Sequence, residues 1–208
     1  MRETDPDVND LIVAARRGDR EAQDALFGRY RNYLALLASM SLPRALRAKF
    51  GASDVVQDVF AKAHQAIGGF RGATEEEMAS WLRQILANEL GMAHRRFVGN
   101  QARQVGRERS LDEMVEASSQ ALGRMPAARG TSPSRGAQRR EAGAIVADAL
   151  AQLKDDDREV IVLRSLEERE WSEVARRMDR SVESVRALWA RACGRLGAVV
   201  EAKRWSGP

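Results

Sequence analysis

The stretch DDDREVIVLRSLEEREWSEVARRMDRSVESVRALWARACGRL, residues 155–196, has the pattern of two short amphipathic helices joined by a tight turn. Ser172 can cap the first helix, and Ser181 can cap the second helix after the turn at 179–181. Three apolar side chains of the first helix share one face: Val174, Ala175 and Met178. This arrangement predicts a helix-turn-helix, the motif that lays its second helix in the major groove of DNA.

The second helix of this motif separates into an apolar side and a polar side. Its predicted inward residues are Val182, Val185, Leu188 or Trp189, Ala192 and Leu196. Its predicted outward residues are Ser181, Ser184, Arg186, Arg191 and Arg195. Because hydroxyl groups and guanidinium forks suit base edges and phosphates, the outward set is a candidate DNA-binding face. The alternative is an ordinary helical hairpin whose arginines are merely solvated.

The composition favours an all-α protein. Of 208 residues, 44% are hydrophobic and only 5% are aromatic, which is enough to bury a helical core. Apolar residues recur at helical spacing, and strict alternation of apolar and polar residues is absent. We therefore expect no β-strand.

The charge of the chain is modestly basic. The net charge is +4 and the isoelectric point is near 9.7, which suggests a nucleic-acid partner. The C-terminal third is balanced in charge, so DNA affinity there must come from arginines arranged on one helix face. Such electrostatic binding alone is weak and sensitive to salt.

Several other classes of protein are disfavoured by the sequence. Cys193 is the only cysteine, which excludes an internal disulfide and fits a reducing cytoplasm. No apolar run approaches the roughly 18 residues of a membrane span, and the charged start is not a signal peptide. His64 and His94 lack metal-ligand spacing, and the glycines at 68–72 form no nucleotide fingerprint. We expect a non-catalytic cytoplasmic protein without cofactor, metal or membrane segment.

Changes of composition divide the chain into three segments. They are a helical domain at 8–98, a linker at 99–140 and a helix-turn-helix domain at 141–204. The linker is rich in Gly, Pro, Ser and Arg, which is typical of a flexible connection. Within it, Ser110 and Glu113 have capping-box spacing, so residues 111–122 are a candidate short helix.

One helix of the first domain, which Ser53 is expected to open, combines an apolar face with an acidic one. Its inward residues are Val56, Phe60, Ala63 and Ile67. The other face carries Asp54, Gln57 and Asp58. Carboxylates and an amide on one face suit an arginine-bearing helical partner, although a merely solvated face remains the alternative.

The next helix starts acidic and ends basic. Thr74 and Glu77 have capping-box spacing at its start, and its apolar part is Met78, Trp81, Leu82, Ile85 and Leu86. Asn88 is a polar side chain among apolar neighbours, which makes it a candidate binding residue. The basic end is formed by His94, Arg95 and Arg96, and it complements the helix dipole.

Three segments in order along the chain together resemble a known family: DVVQDVFAKAHQAIGGF at 54–70, WLRQILANELGMAHRR at 81–96, and REVIVLRSLEEREWSEVARRMDRSVESVRALWARACGRL at 158–196. They are similar to the second region, the promoter-melting helix and the fourth region of extracytoplasmic-function (ECF) sigma factors of the sigma-70 family. The segments Ser132-Pro133-Ser134 and Leu188-Trp189 resemble a subgroup common in planctomycete-like bacteria.

This resemblance implies a fold, a function and partners. The fold would be two small helical domains, region 2 and region 4, joined by the linker. The function would be to bind core RNA polymerase, direct it to specific promoters and promote DNA melting, with no catalysis of its own. The implied partners are the clamp helices of the largest polymerase subunit, the flap region and promoter DNA, with an anti-sigma factor as a further candidate.

The resemblance also implies roles for individual residues. Asp54, Gln57 and Asp58 match the surface for the clamp helices. At the −10 element, Phe70 is expected to stack on an unpaired base, Asn88 to read a base edge, and His94, Arg95 and Arg96 to hold phosphates. At the −35 element, Ser184, Arg186 and Arg191 match contact positions, and Ser181 and Arg195 extend that set. Trp81 is expected in the core.

Three positions depart from the family pattern. Met92 stands where an aspartate is usual, Asp179 where the turn usually has glycine, and Ala187-Leu188 where many members have serine and arginine. Because aspartate tolerates left-handed backbone, the turn is expected to survive. The absence of the serine-arginine pair argues against a direct transfer of promoter sequence to this chain, and Met92 argues against a direct transfer of the local network in the melting helix.

The main alternative function is a stand-alone helix-turn-helix repressor or activator. Such a regulator would dimerise so that two recognition helices reach successive major grooves. No heptad repeat or dimer helix is visible in the sequence, which disfavours this alternative. A helical adaptor that binds only protein is a weaker one.

Overall fold

The computed structural model describes residues 7–41, 51–98, 105–125 and 136–205. Within these residues the chain forms nine α-helices and no β-strand, which confirms the predicted all-α fold. None of these helices is both long and apolar enough to cross a membrane. Parts of the predicted linker, including Ser132-Pro133-Ser134, lie outside the described residues.

The helices belong to two compact units, Met1–Ser119 and Gln120–Pro208. The first unit contains α1 (Val8–Arg16), α2 (Arg20–Ser41), α3 (Ala52–Ala66), α4 (Glu75–Val98) and most of α5 (Val105–Gly123). The second unit contains α6 (Gly136–Ala151), α7 (Asp155–Ile161), α8 (Trp171–Arg177) and α9 (Val182–Trp205). A 3-10 turn, Ile67–Gly69, follows α3, and a π-helical turn, Val162–Leu166, follows α7.

Aspartate side chains cap the first turns of α1 and α2. The carboxylate of Asp7 accepts a hydrogen bond from the Asn9 amide at 3.1 Å, and that of Asp19 accepts one from the Ala22 amide at 3.1 Å. Between the helices Gly18 has a φ of 91°, in the left-handed region that favours glycine. Gly18 and Asp19 therefore separate the two helices.

The core of the first unit lies between α2, α3 and α4, which contact one another pairwise. Its largest fully buried side chains include Phe27, Tyr30 and Tyr33 of α2 and Met78, Leu82, Leu86 and Leu90 of α4. The four residues predicted to face inward from α3 and its end are all buried: Val56, Phe60, Ala63 and Ile67. That part of the helical pattern is confirmed.

Helix α9 is the centre of the second unit, because α6, α7 and α8 all pack against it. Its buried side chains include Val185, Leu188, Ala192 and Leu196, as the apolar spacing predicts. Val182 and Trp189 are only half-buried. Val146 and Leu150 of α6, and Leu153 just after it, are also buried.

Two of the predicted helix caps are confirmed. The Glu77 amide donates to Thr74 Oγ1 at 3.3 Å, and Glu77 Oε2 accepts from the Thr74 amide at 3.1 Å, which completes the capping box of α4. The Ser184 amide donates to Ser181 Oγ at 3.1 Å at the start of α9. Both side chains satisfy amides that would otherwise lack a partner in the first turn.

Three predicted caps are wrong, and the reason is the same in each case. A hydroxyl can cap a helix only from the position just outside it, where the backbone is not helical. Gly51 holds that position before α3 and Glu170 holds it before α8, so Ser53 and Ser172 lie inside these helices. Helix α5 begins at Val105, which places Ser110 in its interior and removes the predicted box there.

Candidate nucleic-acid interface

The turn between α8 and α9 has the sharp geometry that the motif requires. Asp179 has a φ of 51°, in the left-handed region that short polar side chains tolerate. The Arg180 amide donates to the Ala175 carbonyl at 3.0 Å and closes the end of α8. The expectation that the turn survives with aspartate in place of glycine is confirmed.

Ion pairs attach this turn and α9 to the acidic start of α7. Arg180 pairs with Asp156 at 2.5 Å, and Arg195 pairs with Asp157 at 2.7 Å. Asp157 is buried, and the guanidinium of Arg195 compensates its negative charge. These pairs orient α9 relative to α7.

A second cluster attaches the π-helical turn to α8. Glu167 Oε2 accepts hydrogen bonds from Arg169 Nε and from Arg177 Nη1, both at 3.2 Å. The side chains of Glu167 and Arg177 are almost fully buried. Breaking this pair would leave an uncompensated charge, so it holds the first helix of the motif in place.

An aromatic cluster lies where the π-helical turn, α8 and α9 meet. The indole rings of Trp171 and Trp189 are 5.7 Å apart and nearly perpendicular, and Trp189 Nε1 donates to Ser165 Oγ at 2.9 Å. The guanidinium carbon of Arg164 lies 4.9 Å from the centre of the Trp171 ring, and that of Arg186 lies 5.6 Å from it. The guanidinium groups of Arg164 and Arg186 therefore both lie near the ring of Trp171.

The residues predicted to contact the −35 element do not all share one face of α9. Ser181, Arg186, Arg191 and Arg195 are exposed, and Ser184 is half-buried. Arg186 and Arg195 are nine residues apart, about two and a half helical turns, so they leave opposite sides of the helix. Arg186 points towards Trp171 of α8 and Arg195 towards Asp157 of α7.

The loop before α4 is closed by the ring of Phe70. This side chain is buried, and its ring centre lies 5.1 Å from that of Trp81. A Cβ atom on Gly72 would lie 2.4 Å from Phe70 Cζ, so only glycine fits under the ring. Phe70 is thus a packing residue of this loop, and stacking on a base would require it to leave Trp81.

One side of α4 and its basic end are largely exposed. Asn88, Arg95 and Arg96 are exposed, and His94 is half-buried. Asn88 and Arg95 are seven residues apart, about two helical turns, so they leave the same side of the helix. An amide and basic groups on one helix side can contact both a base edge and the phosphate backbone.

Helix α3 presents the acidic face beside this region. Asp54, Gln57 and Asp58 are all exposed on it. Glu89 of α4 is buried near this face, and its burial raises the pKa of its carboxyl above the ordinary value. The negative charge of Asp58 raises that pKa further, while Lys62 and Arg96 oppose the rise. The pKa of the Glu89 carboxyl therefore depends on charges of α3 and on the basic end of α4.

A buried polar network joins α5 to α2 and α4, and the sequence did not predict it. Arg83 Nη1 donates to the Tyr33 hydroxyl at 3.2 Å, and Arg83 Nε pairs with Glu116 at 3.2 Å. The Tyr33 hydroxyl also shares a hydrogen bond of 2.8 Å with Ser119. The available signal was a stripe of small residues at four-residue spacing around Arg83, namely Ala79, Ala87 and Gly91, which permits close approach of another helix.

Comparison with known proteins adds independent findings. Residues 149–197 match the family described as Sigma-70, region 4. The ECF RNA polymerase sigma-E factor of Haemophilus influenzae is 30% identical over 182 residues, covering 88% of this chain and 89% of that protein. The RNA polymerase sigma-H factor of Pseudomonas aeruginosa is 29% identical over 184 residues, covering 88% of each. A solved structure of CnrH in complex with the cytosolic domain of CnrY covers 94% of this chain and 99% of that one, with 24% identity and a TM-score of 0.35.

Proposed function

The chain belongs to the ECF RNA polymerase sigma factors, and from this premise we propose that it binds core RNA polymerase, directs it to specific promoters and promotes DNA melting. The observation that carries the proposal is the exposed polar side of α9, which follows a capped turn in a helix-turn-helix. The initiation chemistry would belong to the polymerase, and the site of action would be the cytoplasm.

At the −35 element, the proposed contacts come from the first turns of α9. Ser181, Ser184, Arg186 and Arg191 lie in the part of the helix that a major groove can admit. Arg186 is the proposed base reader and Arg191 a phosphate contact. Arg195 leaves the opposite side from Arg186 and pairs with Asp157, so its proposed main role is to orient α9.

At the −10 element, the proposed contacts come from the exposed side of α4. Capturing an unpaired base costs a few kcal/mol of unstacking, which stacking and edge hydrogen bonds must offset. Asn88 is proposed to read the base edge, and His94, Arg95 and Arg96 are proposed to hold phosphates. Because the ring of Phe70 is buried against Trp81, its proposed role is to shape the loop before α4.

For the polymerase, the proposed contact is the acidic face of α3. Asp54 and Asp58 are four residues apart and Gln57 lies between them on the same exposed side. Two carboxylates and an amide can accept and donate hydrogen bonds to arginines of a facing helix. The clamp helices of the largest subunit are the proposed partner.

A second polymerase contact is proposed at a surface cavity of about 740 Å³ in the C-terminal unit. Leu153, Leu188, Ala198 and Val199 form its apolar part, and Lys154, Asp157 and Arg195 are among its charged residues. A cavity lined by both apolar and charged side chains suits a short segment that carries apolar side chains, and the flap region is the proposed partner. An anti-sigma factor remains a candidate partner for the same surfaces.

The test is in vitro transcription by core polymerase with the purified chain and genomic fragments. The expected result is initiation at a limited set of start sites that core polymerase alone does not use. A chain that never joins core polymerase, or joins it without conferring initiation, contradicts the proposal. A stable dimer that binds palindromic DNA without polymerase would instead support the stand-alone regulator.

A further inference from the structure

We infer that Trp171 is a positioning residue for Arg186 and thereby a determinant of −35 sequence preference. This inference rests on the proposed function, because it requires α9 to read DNA. It concerns a residue of α8, which is outside the predicted contact set. The aromatic cluster and the contacts that hold the arginines of α9 support it.

Trp171 is itself held by the surrounding side chains. Its ring meets that of Trp189 edge-on at 5.7 Å, and Trp189 is fixed by the hydrogen bond from its Nε1 to Ser165 Oγ at 2.9 Å. Ser165 belongs to the π-helical turn, an irregularity that is frequent at functional sites. The ring is therefore a preformed platform.

Arg186 is the exposed arginine that this platform supports. Its guanidinium carbon lies 5.6 Å from the ring centre, within the distance of a cation–π contact. Across the residues that the structure describes, no carboxylate pairs with Arg186, whereas Asp157 pairs with Arg195. Arg186 is thus held by an aromatic ring, and Arg195 by a carboxylate.

This difference matters for reading a base. A carboxylate neutralises a guanidinium and occupies its N–H donors, whereas an aromatic face holds the planar group and leaves its five donors available. A guanidinium fork that is held in place loses less side-chain freedom when it meets the edge of a guanine. Trp171 therefore supports Arg186 without competing with DNA.

Arg164 provides an internal comparison. Its guanidinium carbon lies 4.9 Å from the centre of the same ring, but its Nη1 donates to the Arg169 carbonyl at 2.9 Å. That hydrogen bond ties it to the loop before α8. We expect the platform to position Arg186 for DNA and to use Arg164 as packing.

The test measures −35 preference of the full-length chain bound to core polymerase, with a promoter library randomised in the −35 element. Trp171→Ala is expected to reduce discrimination at the bases that Arg186→Ala affects, by about threefold to tenfold. Trp171→Phe, which keeps an aromatic face, is expected to restore part of it. Trp171→Leu keeps apolar bulk but no aromatic face, so it is expected to behave like Trp171→Ala.

A double-mutant cycle separates positioning from a general structural role. In the Arg186→Ala background, Trp171→Ala is expected to cause no further loss of discrimination, because the residue that it positions is gone. Arg164→Ala is expected to keep the wild-type preference. Thermal unfolding shows whether the Trp171 variants remain folded. If Trp171→Ala does not fold, the cycle is measured with Trp171→Phe instead.

The outcomes distinguish this inference from the proposed function. If holoenzyme initiates and Arg186→Ala relaxes preference while Trp171→Ala and Trp171→Leu do not, only the positioning role is overturned. Additive effects in the cycle, or an Arg164→Ala variant that relaxes preference equally, overturn it too. If Arg186→Ala leaves the −35 preference unchanged, both the base-reading assignment and the positioning role fail. If the chain confers no initiation at all, the proposed function fails.

Discussion

Helices α4 and α9 are each 24 residues long, and each carries one proposed DNA-binding surface, yet the fold holds them in different ways. Helix α9 buries an apolar stripe and keeps its arginines at the surface. Helix α4 buries two charged side chains in its middle, Arg83 and Glu89. The comparison shows that the apolar stripe of α9 is joined by ion pairs from surface arginines, whereas the charged side chains in the middle of α4 are buried and depend on polar or charged partners from α2, α3 and α5.

The largest effect is expected when the partner of Arg83 on α5 is removed. Glu116→Ala would leave the buried Arg83 guanidinium without its carboxylate, and we expect a loss of about 3 kcal/mol in the free energy of unfolding. This is the low end for a broken buried pair, because Glu116 is partly exposed. Urea unfolding measures the change.

The matched control for that prediction is Glu113→Ala, on the exposed side of the same helix. Surface substitutions away from special contacts usually change stability by less than about 0.5 kcal/mol. Equal unfolding midpoints for the Glu116 and Glu113 variants would mean that α5 contributes little to holding α4.

The second prediction concerns the arginines of α9. Arg186→Ala should cost about 1 to 3 kcal/mol on the best −35 sequence and relax the sequence preference, as expected for a base reader. Arg191→Ala should weaken binding evenly on all sequences and lower the slope of the salt dependence by about 1. Competition binding of holoenzyme to −35 variants at several salt concentrations measures both. Even weakening by Arg186→Ala would remove its base-reading role.

The third prediction tests the acidic face of α3. Asp58→Lys places a cation opposite the arginines of the proposed clamp helices, so affinity for core polymerase should fall roughly tenfold, or about 1.4 kcal/mol. Ala66→Lys adds a positive charge at the end of the same helix, on a side that Asp54, Gln57 and Asp58 do not occupy, and serves as the control. Titration of labelled chain against core polymerase gives both affinities. Unchanged binding by Asp58→Lys would remove the assignment.

The smallest expected effect is the pH dependence that Glu89 causes. Its raised pKa means that the folded state holds this proton more tightly than the unfolded state, so stability falls as pH rises from about 4.5 through the folded pKa. Glu89→Gln removes that loss, so the variant should be more stable than the wild type at pH 7, and its advantage should shrink towards pH 4.5. Thermal unfolding across this range measures it. If the stability advantage of Glu89→Gln over the wild type grew as the pH fell, the result would contradict a raised pKa for Glu89.

Much of the C-terminal unit could be predicted because its information is local. The capped turn, the apolar stripe of α9 and the tolerance of Asp179 for left-handed backbone all depend on residues within a few positions. Even there, the prediction placed Arg186 and Arg195 on one outward face. Their separation of nine residues makes about two and a half turns, so the two side chains leave opposite sides of α9.

The site in the N-terminal unit was predictable only in part. The capping box of Thr74 and Glu77 followed from their spacing, whereas Asn88, singled out as a polar residue among apolar neighbours, proved to be exposed. The burial of Phe70 did not, because an aromatic residue in a glycine-rich loop suits either packing or stacking. In the C-terminal unit, the position of Arg186 over the ring of Trp171 was not predicted either, since the sequence gives no sign of which guanidinium lies over a ring.

The all-α class, the helix-turn-helix and the family could be recognised from the sequence, because helical periodicity and ordered motifs depend on neighbouring residues. Which charges are buried, and which groups hold them, depends on the packing of the helices. Arg83 meets Tyr33 and Glu116 across separations of 50 and 33 residues, and Asp157 meets Arg195 across 38. Such pairings depend on how helices approach one another, which spacing along one helix does not specify.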